Sequence, residues 1–263
     1  MPKRQEDELR ARIVAASRET GAIGLNQGTS GNISARFGDE ILITPSGVAY
    51  DTMSADDIVR MDLEGGYYGE LMPSSEWRMH LDIFRQRPEA GAVVHVHPTF
   101  ATAISCLRAG IPPFHYMIAV AGGTDIRCAE YATFGTGALS ERMMAALEGR
   151  SACLLANHGM ICFGADLGRA MWLAVEVETL ARQYWHARQA GTPILLDDVE
   201  MATVQTRFKT YGRQPGEIEE GELEVIGAPV RRDLPPTRPP TRARKKDPRR
   251  PRSTTKRPPR RTR

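Results

Sequence analysis

Hydrophobic and polar positions follow a helical period in several stretches of the chain. The period is clearest after residue 168, and weaker versions occupy residues 6–21, 73–88 and 99–110. Apolar residues that recur at i, i+3, i+4 and i+7 predict amphipathic helices. In the clearest stretch the repeating positions are Ala170, Leu173, Ala174, Val177, Leu180, Ala181 and Tyr184.

Short β-prone runs lie between these stretches. The run from Ile33 to Thr44 is interrupted by Gly38 and Asp39, which predicts a hairpin. "AVVHVHP" at 92–98 predicts a buried strand, and "SACLLANHGMICFG" at 151–164 predicts two strands joined by a turn at Asn157 to Gly159. Strands and helices alternate without a strict βαβ rhythm. The pattern therefore predicts an α/β domain, three-layered or built on a mixed sheet, that ends near Gly227.

The last part of the chain has a different composition. Residues 231–263 contain 15 Lys or Arg and 2 Asp, a local charge of +13, whereas the whole chain carries +3, which leaves −10 for the rest. Repeated prolines and almost no apolar side chains predict a disordered tail over residues 228–263, after an ordered domain over 1–227. The tail has the charge to bind nucleic acid or an acidic surface without sequence preference, and a solvated tail without a dedicated partner is the alternative.

Cysteine use and hydropathy indicate the compartment. The four cysteines are widely spaced with no CxxC pair, which is typical of a reducing environment, and Cys153 and Cys162 lie in apolar surroundings expected of small core residues. The charged N-terminus precedes no apolar run, and no stretch is long and apolar enough to span a bilayer. We therefore expect a cytoplasmic protein without a membrane partner.

Two histidines share one face of the predicted strand at 92–98. Side chains alternate along a strand, so His95 and His97 point the same way, close enough to bind one metal ion. His158, at the end of another buried strand, is a candidate third ligand, and a zinc-like ion suits imidazole ligands. Any one histidine is more often an ordinary core or surface residue. His80, His115 and His186 do not close a buried strand.

A carboxylate and three turn-like segments complete the candidate chemistry. Glu76 stands at a predicted helix start just before the histidine strand, where it would serve as metal ligand or general base, or only complement the helix dipole. "GTSGN" at 28–32, "TPSG" at 44–47 and "PSSE" at 73–76 combine glycine, hydroxyls and a helix start, as anion sites do, although each alone is an ordinary turn. Together they predict a metal beside a phosphate site.

The chain resembles a known family. "GLNQGTSGNIS", "LITPSG", "PSSEWRMH", "AVVHVHP", "IPPFHYMIAVAGG", "YATFGT", "NHGM" and "FKTYG" have the order and spacing seen in the zinc-dependent class II aldolases, the family of L-fuculose-1-phosphate aldolase and L-ribulose-5-phosphate 4-epimerase. The resemblance covers residues 9–212. It implies a three-layer α/β fold, with a central mixed and mainly antiparallel sheet flanked by helices, and a homotetramer with active sites between subunits.

The resemblance also implies roles for particular residues. His95, His97 and His158 would bind one Zn²⁺ per subunit, together with Glu76 in the absence of substrate, and Glu76 would be the acid/base. Tyr116 would reach the site from a neighbouring subunit and act on the aldehyde oxygen. The phosphate of a small phosphorylated sugar would be held by Gly31, Asn32, Ser46, Gly47, Ser74 and Ser75, and the aldehyde side would be lined by Phe134, Phe208 and Tyr211.

The implied reaction is the reversible cleavage of L-fuculose 1-phosphate to dihydroxyacetone phosphate and L-lactaldehyde. Aldolases of 5-deoxyribulose 1-phosphate or 5-methylthioribulose 1-phosphate are the alternative, because metal and phosphate sites would be common to all. The epimerase and dehydratase branches of the fold are weaker alternatives. From a different class, the basic tail leaves open a nucleic-acid-associated protein with an inactive aldolase-like core.

Overall fold

A computed structural model of the protein describes residues 3–209. The boundary predicted at Gly227, the basic tail over 228–263 and the candidate pocket residue Tyr211 lie outside the described residues. No helix of the described part is both long enough and apolar enough to cross a bilayer.

An eight-stranded sheet forms the centre of the fold, in the order β4-β3-β2-β1-β5-β8-β7-β6. Neighbouring strands are antiparallel except β6 and β7, which are parallel. The predicted mixed and mainly antiparallel sheet is therefore confirmed. The strands are β1 (Asn32–Phe37), β2 (Glu40–Ile43), β3 (Val59–Asp62), β4 (Tyr67–Tyr68), β5 (Ala92–Val96), β6 (Cys128–Ala129), β7 (Ala152–Leu155) and β8 (Gly159–Gly164).

Helices cover both faces of the sheet. One face packs against α1, α3, α5 and α6, and the other packs against α2 and α4, so that two apolar cores form with the sheet between them. This is the predicted three-layer arrangement. The helices are α1 (Lys3–Ala22), α2 (Trp77–Gln86), α3 (Thr99–Ser105), α4 (Gly137–Ala146), α5 (Leu167–Ala190) and α6 (Asp198–Phe208), with a 3₁₀ helix at Tyr116–Ala121.

The predicted hairpin is present as β1 and β2. Phe37 pairs with Glu40, so Gly38 and Asp39 form a two-residue loop. Gly38 has a φ of 64°, a left-handed conformation that glycine adopts without a side-chain clash. The turn predicted between β7 and β8 is also present, and Cys153 and Cys162 are buried in these strands as expected.

The alternation of side chains along β5 directs its residues to different cores. Ala92, Val94 and Val96 contact the core beside α1, α3 and α5, whereas Val93 contacts the core beside α2 and α4. His95 has the same parity as Val93, so its ring lies on the α2 side of the sheet. This geometry decides which helix supplies the partners of the histidine.

Candidate metal centre and anion pocket

Four side chains converge at one end of strand β5. Ligand-type atoms of Glu76, His95, His97 and His158 all lie within 4.8 Å of one another. The Nε2 atoms of His95 and His97 are 2.9 Å apart, and the two carboxylate oxygens of Glu76 lie 3.1 Å from His95 Nε2 and 3.2 Å from His158 Nε2. The structure thus brings together the four residues that the sequence predicts as metal ligands.

Three different elements bring these side chains together. His95 belongs to β5 and His97 follows its last residue, while Glu76 is the residue before α2 and makes no side-chain cap of that helix. His158 lies in the turn between β7 and β8, after Asn157, whose φ of 54° belongs to the left-handed region that asparagine tolerates better than most residues. The carboxylate of Glu76 is therefore directed to the histidines and not to the helix start.

The donor set fits a divalent metal ion. His95 Nδ1 lies 2.8 Å from the carbonyl oxygen of Met160, so this nitrogen carries the proton and the Nε2 lone pair faces the cluster, as in metal-binding histidines. Within the described residues, Oε1 of Glu76 is buried without a hydrogen-bond partner. Three imidazoles and one carboxylate form a ligand set that zinc accepts.

Burial and neighbouring charges set the protonation of this cluster. Burial alone would raise the pKa of Glu76, but the adjacent His95 and His158 rings outweigh it and hold the pKa well below its usual range. Burial, followed by the charges of His95 and His158, lowers the pKa of His97 to about 3. At neutral pH the site therefore offers an ionised carboxylate and a neutral His97, the forms that bind metal.

A pocket of about 370 Å³ opens beside the cluster. The three segments proposed as anion sites meet in this pocket, although they are far apart in the sequence. Backbone hydrogen bonds from Ser46 to Met72 and from Ser74 to Thr44, both 3.0 Å, join the second segment to the third. The residues predicted to hold a phosphate all line the pocket: Gly31, Asn32, Ser46, Gly47, Ser74 and Ser75. Thr29 and Ser30 line it as well.

Gly31 is required by a close backbone approach. A Cβ atom at this position would lie 2.8 Å from Asn26 Nδ2 and 2.8 Å from the carbonyl oxygen of His95. The Tyr50 hydroxyl donates a hydrogen bond to the Gly31 carbonyl, and burial raises the pKa of Tyr50, so the phenol stays protonated. The glycine-rich segment is thus held directly against the histidine strand.

The residues predicted for the aldehyde side are only partly brought to the pocket. Phe134 lines it. Tyr116 is about half exposed and is not among the residues that line this pocket, and its ring stacks on that of Phe208 at 6.4 Å. Within one chain, the half-exposed Tyr116 therefore stacks on the partly buried Phe208, away from the residues that line the pocket.

Sequence reasoning missed several residues around the site. His80 is fully buried and hydrogen-bonded to Asn32, and its position one helical turn after Glu76 is a signal that could have identified it. Tyr131 and Asn157 line the pocket, and Asn157 Oδ1 accepts a hydrogen bond of 2.9 Å from Arg108 Nε. Asn26 accepts a hydrogen bond from the backbone N–H of His97 through its Oδ1. These contacts depend on chain segments far apart in the sequence.

Comparison with known proteins places the site in a family context. Residues 11–185 match the model of the family described as Class II Aldolase and Adducin N-terminal domain. A 5-methylthioribulose-1-phosphate/5-deoxyribulose-1-phosphate aldolase of Rhodospirillum rubrum is 53% identical over 78% of this chain and 92% of its own length. An L-fuculose phosphate aldolase of Escherichia coli K12 is 46% identical over 79% of this chain and 97% of its own.

A solved structure shares the fold at comparable coverage. The L-fuculose 1-phosphate aldolase structure superposes with a TM-score of 0.75 and 40% sequence identity, over 77% of this chain and 96% of the other. The residues of the metal-type cluster and of the pocket lie within the range that matches the family model.

Proposed function

The chain belongs to the class II aldolase and adducin N-terminal domain family, and from this premise we propose that it cleaves a ketose 1-phosphate to dihydroxyacetone phosphate and a short aldehyde. The observation that carries the proposal is the position of the Glu76–histidine cluster, which opens onto a pocket lined by hydroxyl groups and glycine backbone. A metal ligand set beside an anion-type pocket is what this reaction requires.

His95, His97, His158 and, without substrate, Glu76 would hold one Zn²⁺ per chain. A bound divalent ion supplies Lewis-acid stabilisation of the negative charge that develops on the ketose oxygens during cleavage. The protein contributes ligand orientation, because His95 Nδ1–H donates a hydrogen bond to the Met160 carbonyl oxygen. The Nε2 lone pair is thereby left to bind the metal ion.

Glu76 is the proposed acid/base. When the C3–C4 bond of the ketose breaks, its electron pair stays on the dihydroxyacetone phosphate fragment, and C3 must receive a proton. In the condensation direction the ionised Glu76 would remove this proton from C3, while Tyr116 of a neighbouring subunit would donate its phenolic proton to the aldehyde oxygen, which becomes the C4 hydroxyl. Cleavage would run both proton transfers in reverse. The exposed Tyr116 ring and its absence from the lining of the described pocket are compatible with this role in a homotetramer.

The phosphate group would lie among Gly31, Asn32, Ser46, Gly47, Ser74 and Ser75. Hydroxyl and amide donors from three separate segments give orientation as well as affinity, and binding energy remote from the breaking bond positions the reacting carbon. Within residues 3–209 no Lys or Arg lines the pocket, so among these residues charge compensation would come from hydrogen bonds and the metal cluster.

Two groups of substrates are supported equally. L-Fuculose 1-phosphate is the substrate class of several relatives, while a 5-methylthioribulose or 5-deoxyribulose 1-phosphate is favoured by the relative at 53% identity. The aldehyde end would contact Phe134, already in the pocket, and Phe208 and Tyr211. Tyr131 and Phe134 are 47% and 65% exposed, which leaves apolar area for a methyl or thiomethyl end.

The test measures dihydroxyacetone phosphate release from L-fuculose 1-phosphate, 5-deoxyribulose 1-phosphate and 5-methylthioribulose 1-phosphate, before and after chelation and zinc add-back. We expect release that chelation abolishes and zinc restores, and the ranking of kcat/KM identifies the substrate. No release from any of the three by folded, zinc-loaded protein would overturn the proposal and favour the epimerase, dehydratase or binding-protein alternatives.

A further inference from the structure

A chain of hydrogen bonds connects the buried interior to Glu76. Ser34 Oγ lies 2.6 Å from His80 Nδ1, His80 Nε2 lies 2.5 Å from Asn32 Oδ1, and Asn32 Nδ2 donates to Glu76 Oε2 at 3.0 Å. His80 and Ser34 are fully buried, and Asn32 is 3% exposed. These polar groups therefore depend on one another for their hydrogen bonds.

The sheet and helix α2 together create this series of hydrogen bonds. Asn32 pairs with His95 across β1 and β5, and Ser34 shares its face of β1, on the α2 side of the sheet. His80 lies one helical turn after Glu76, so its ring faces the same strand. The two elements thus place an imidazole directly behind the amide that contacts the carboxylate.

The direction of each hydrogen bond follows from chemistry. An ionised carboxylate only accepts, so Asn32 must present its Nδ2 to Glu76, which leaves Oδ1 toward His80. His80 Nε2 must then carry a proton, and Nδ1 must accept one from the Ser34 hydroxyl. Burial lowers the pKa of His80 to about 3, so the ring is neutral and has one donor and one acceptor nitrogen.

We propose that His80 is a positioning residue that fixes the orientation of the Asn32 side-chain amide. With His80 as donor, the Asn32 amide nitrogen faces Glu76, and Asn32 also lines the pocket in which an anion is proposed to bind. A flipped amide would instead direct its oxygen at the carboxylate and the anion. The inference rests on the proposed function, since it deepens the account of the same phosphate site.

The first experiment compares His80→Gln with His80→Met. Both side chains are unbranched and similar in length, but only glutamine retains a donor for Asn32 Oδ1. We expect His80→Met to weaken inorganic phosphate binding and to lower kcat/KM by about tenfold each, roughly the loss of one charge-assisted hydrogen bond, whereas His80→Gln stays within about threefold of the natural chain. Phosphate affinity is measured by calorimetry on zinc-loaded protein whose folding is verified by circular dichroism.

A double-mutant cycle separates positioning from a structural role. If His80 acts through Asn32, then His80→Met adds less than about twofold to the phosphate-binding defect of Asn32→Ala. A merely structural residue would give additive losses in the two variants. Nitrogen NMR of the natural chain should also show His80 as a neutral ring with its proton on Nε2.

The outcomes separate the inference from the proposed function. A natural chain that binds phosphate but cleaves no ketose 1-phosphate refutes the aldolase proposal, while the phosphate and NMR results still decide the role of His80. Three results would each overturn the inference. The first is additive losses in the cycle, the second is a folded His80→Met variant that binds phosphate as tightly as the unsubstituted protein, and the third is a proton on Nδ1 of His80. A natural chain that binds no phosphate would also overturn it.

Discussion

Histidine chemistry in this chain is decided by what each ring contacts. His95 donates from Nδ1 to a carbonyl and directs Nε2 at the cluster, whereas His80 is surrounded by Ser34 and Asn32. The first arrangement leaves a lone pair for a metal ion, and the second occupies both nitrogens with hydrogen bonds. Two buried histidines of similar exposure thus have different chemistry.

Replacement of Glu76 tests the proposed acid/base. Glu76→Gln preserves the shape of the side chain and removes its proton exchange and negative charge. We expect kcat to fall by about 10² to 10⁴, measured as dihydroxyacetone phosphate release under zinc saturation. Zinc content of the variant is measured as a control, and a variant with full metal content and undiminished kcat would exclude Glu76 as the acid/base.

Close packing of neighbouring elements fixes the position of the ligands. Glu178 on α5 accepts hydrogen bonds from the backbone N–H groups of Phe100 and Ala101, at 2.9 and 2.8 Å, and so caps α3 immediately after His97. Burial, only partly offset by these bonds, raises the pKa of Glu178. Helix α5 therefore restrains the end of the strand that carries two of the metal-type ligands.

Gly159 at the start of β8 tests this packing. Its added Cβ would lie 2.5 Å from His97 Cδ2 and 2.7 Å from the Val96 carbonyl oxygen, so Gly159→Ala must displace the ring or the strand. We expect a loss of about 1 to 3 kcal/mol in the free energy of unfolding together with weaker zinc binding, measured by urea titration and chelator competition.

Gly137→Ala is the matched control. Its Cβ would meet no atom within 4 Å, and alanine is the better helix former at the start of α4. We expect unchanged or slightly increased stability and unchanged zinc affinity. Equal zinc affinities for the Gly159 and Gly137 variants would contradict the packing argument.

Helix caps are a sequence signal that hydrophobic periodicity does not contain. The hydrophobic pattern does not predict helices α4 and α6, yet Thr136 and Asp197 precede them and accept hydrogen bonds from the backbone N–H groups of Leu139 and Glu200. Their apolar faces are short, so hydrophobic periodicity alone is weak there. By contrast, the 24-residue α5 has a long apolar stripe and was predicted at its centre.

Stability of the whole molecule should depend on pH through His80. Folding lowers its pKa from 6.5 to about 3, so between these values the unfolded chain binds a proton that the folded chain excludes. The contribution of His80 to the free energy of unfolding is complete above pH 6.5. It is lost as the pH falls, by up to about 1.4 kcal/mol per pH unit.

Urea unfolding from about pH 7.5 to about pH 4.5 measures this slope in metal-free protein. His80→Gln is the comparison, because glutamine does not titrate and the remaining histidines are common to both chains. We expect a shallower pH dependence in the variant. Identical slopes would show that His80 is not held neutral by folding.

The C-terminal extension is tested by truncation. We expect a chain that ends at Gly227 to retain the kcat/KM of the full chain, because every candidate site residue precedes this position. Affinity for duplex DNA at low and moderate salt decides between the two hypotheses for the tail. Salt-sensitive binding of DNA by the full chain, but not by the truncated chain, supports a nucleic-acid partner. Equally weak DNA binding by the full and truncated chains supports a solvated tail.

Local patterns in the sequence predict the fold class and the types of ligand residue. Local periodicity predicts β5 and α5, and alternation along a strand puts His95 and His97 on one face, because these properties depend on neighbours within a few residues. Motif order also indicated the family that the comparisons confirm. The order of the motifs also predicts that Glu76 and the histidines lie together, although the distances between them depend on the fold.

The residues that surround those ligands are set by contacts between distant segments of the chain. The pairing of Asn32 with His95, the position of His80 behind Asn32, and the contribution of Asn157 to the pocket all depend on strand register and on the packing of α2 against the sheet. Register and packing are set by the joint burial of segments far apart in the chain, so no local pattern contains them.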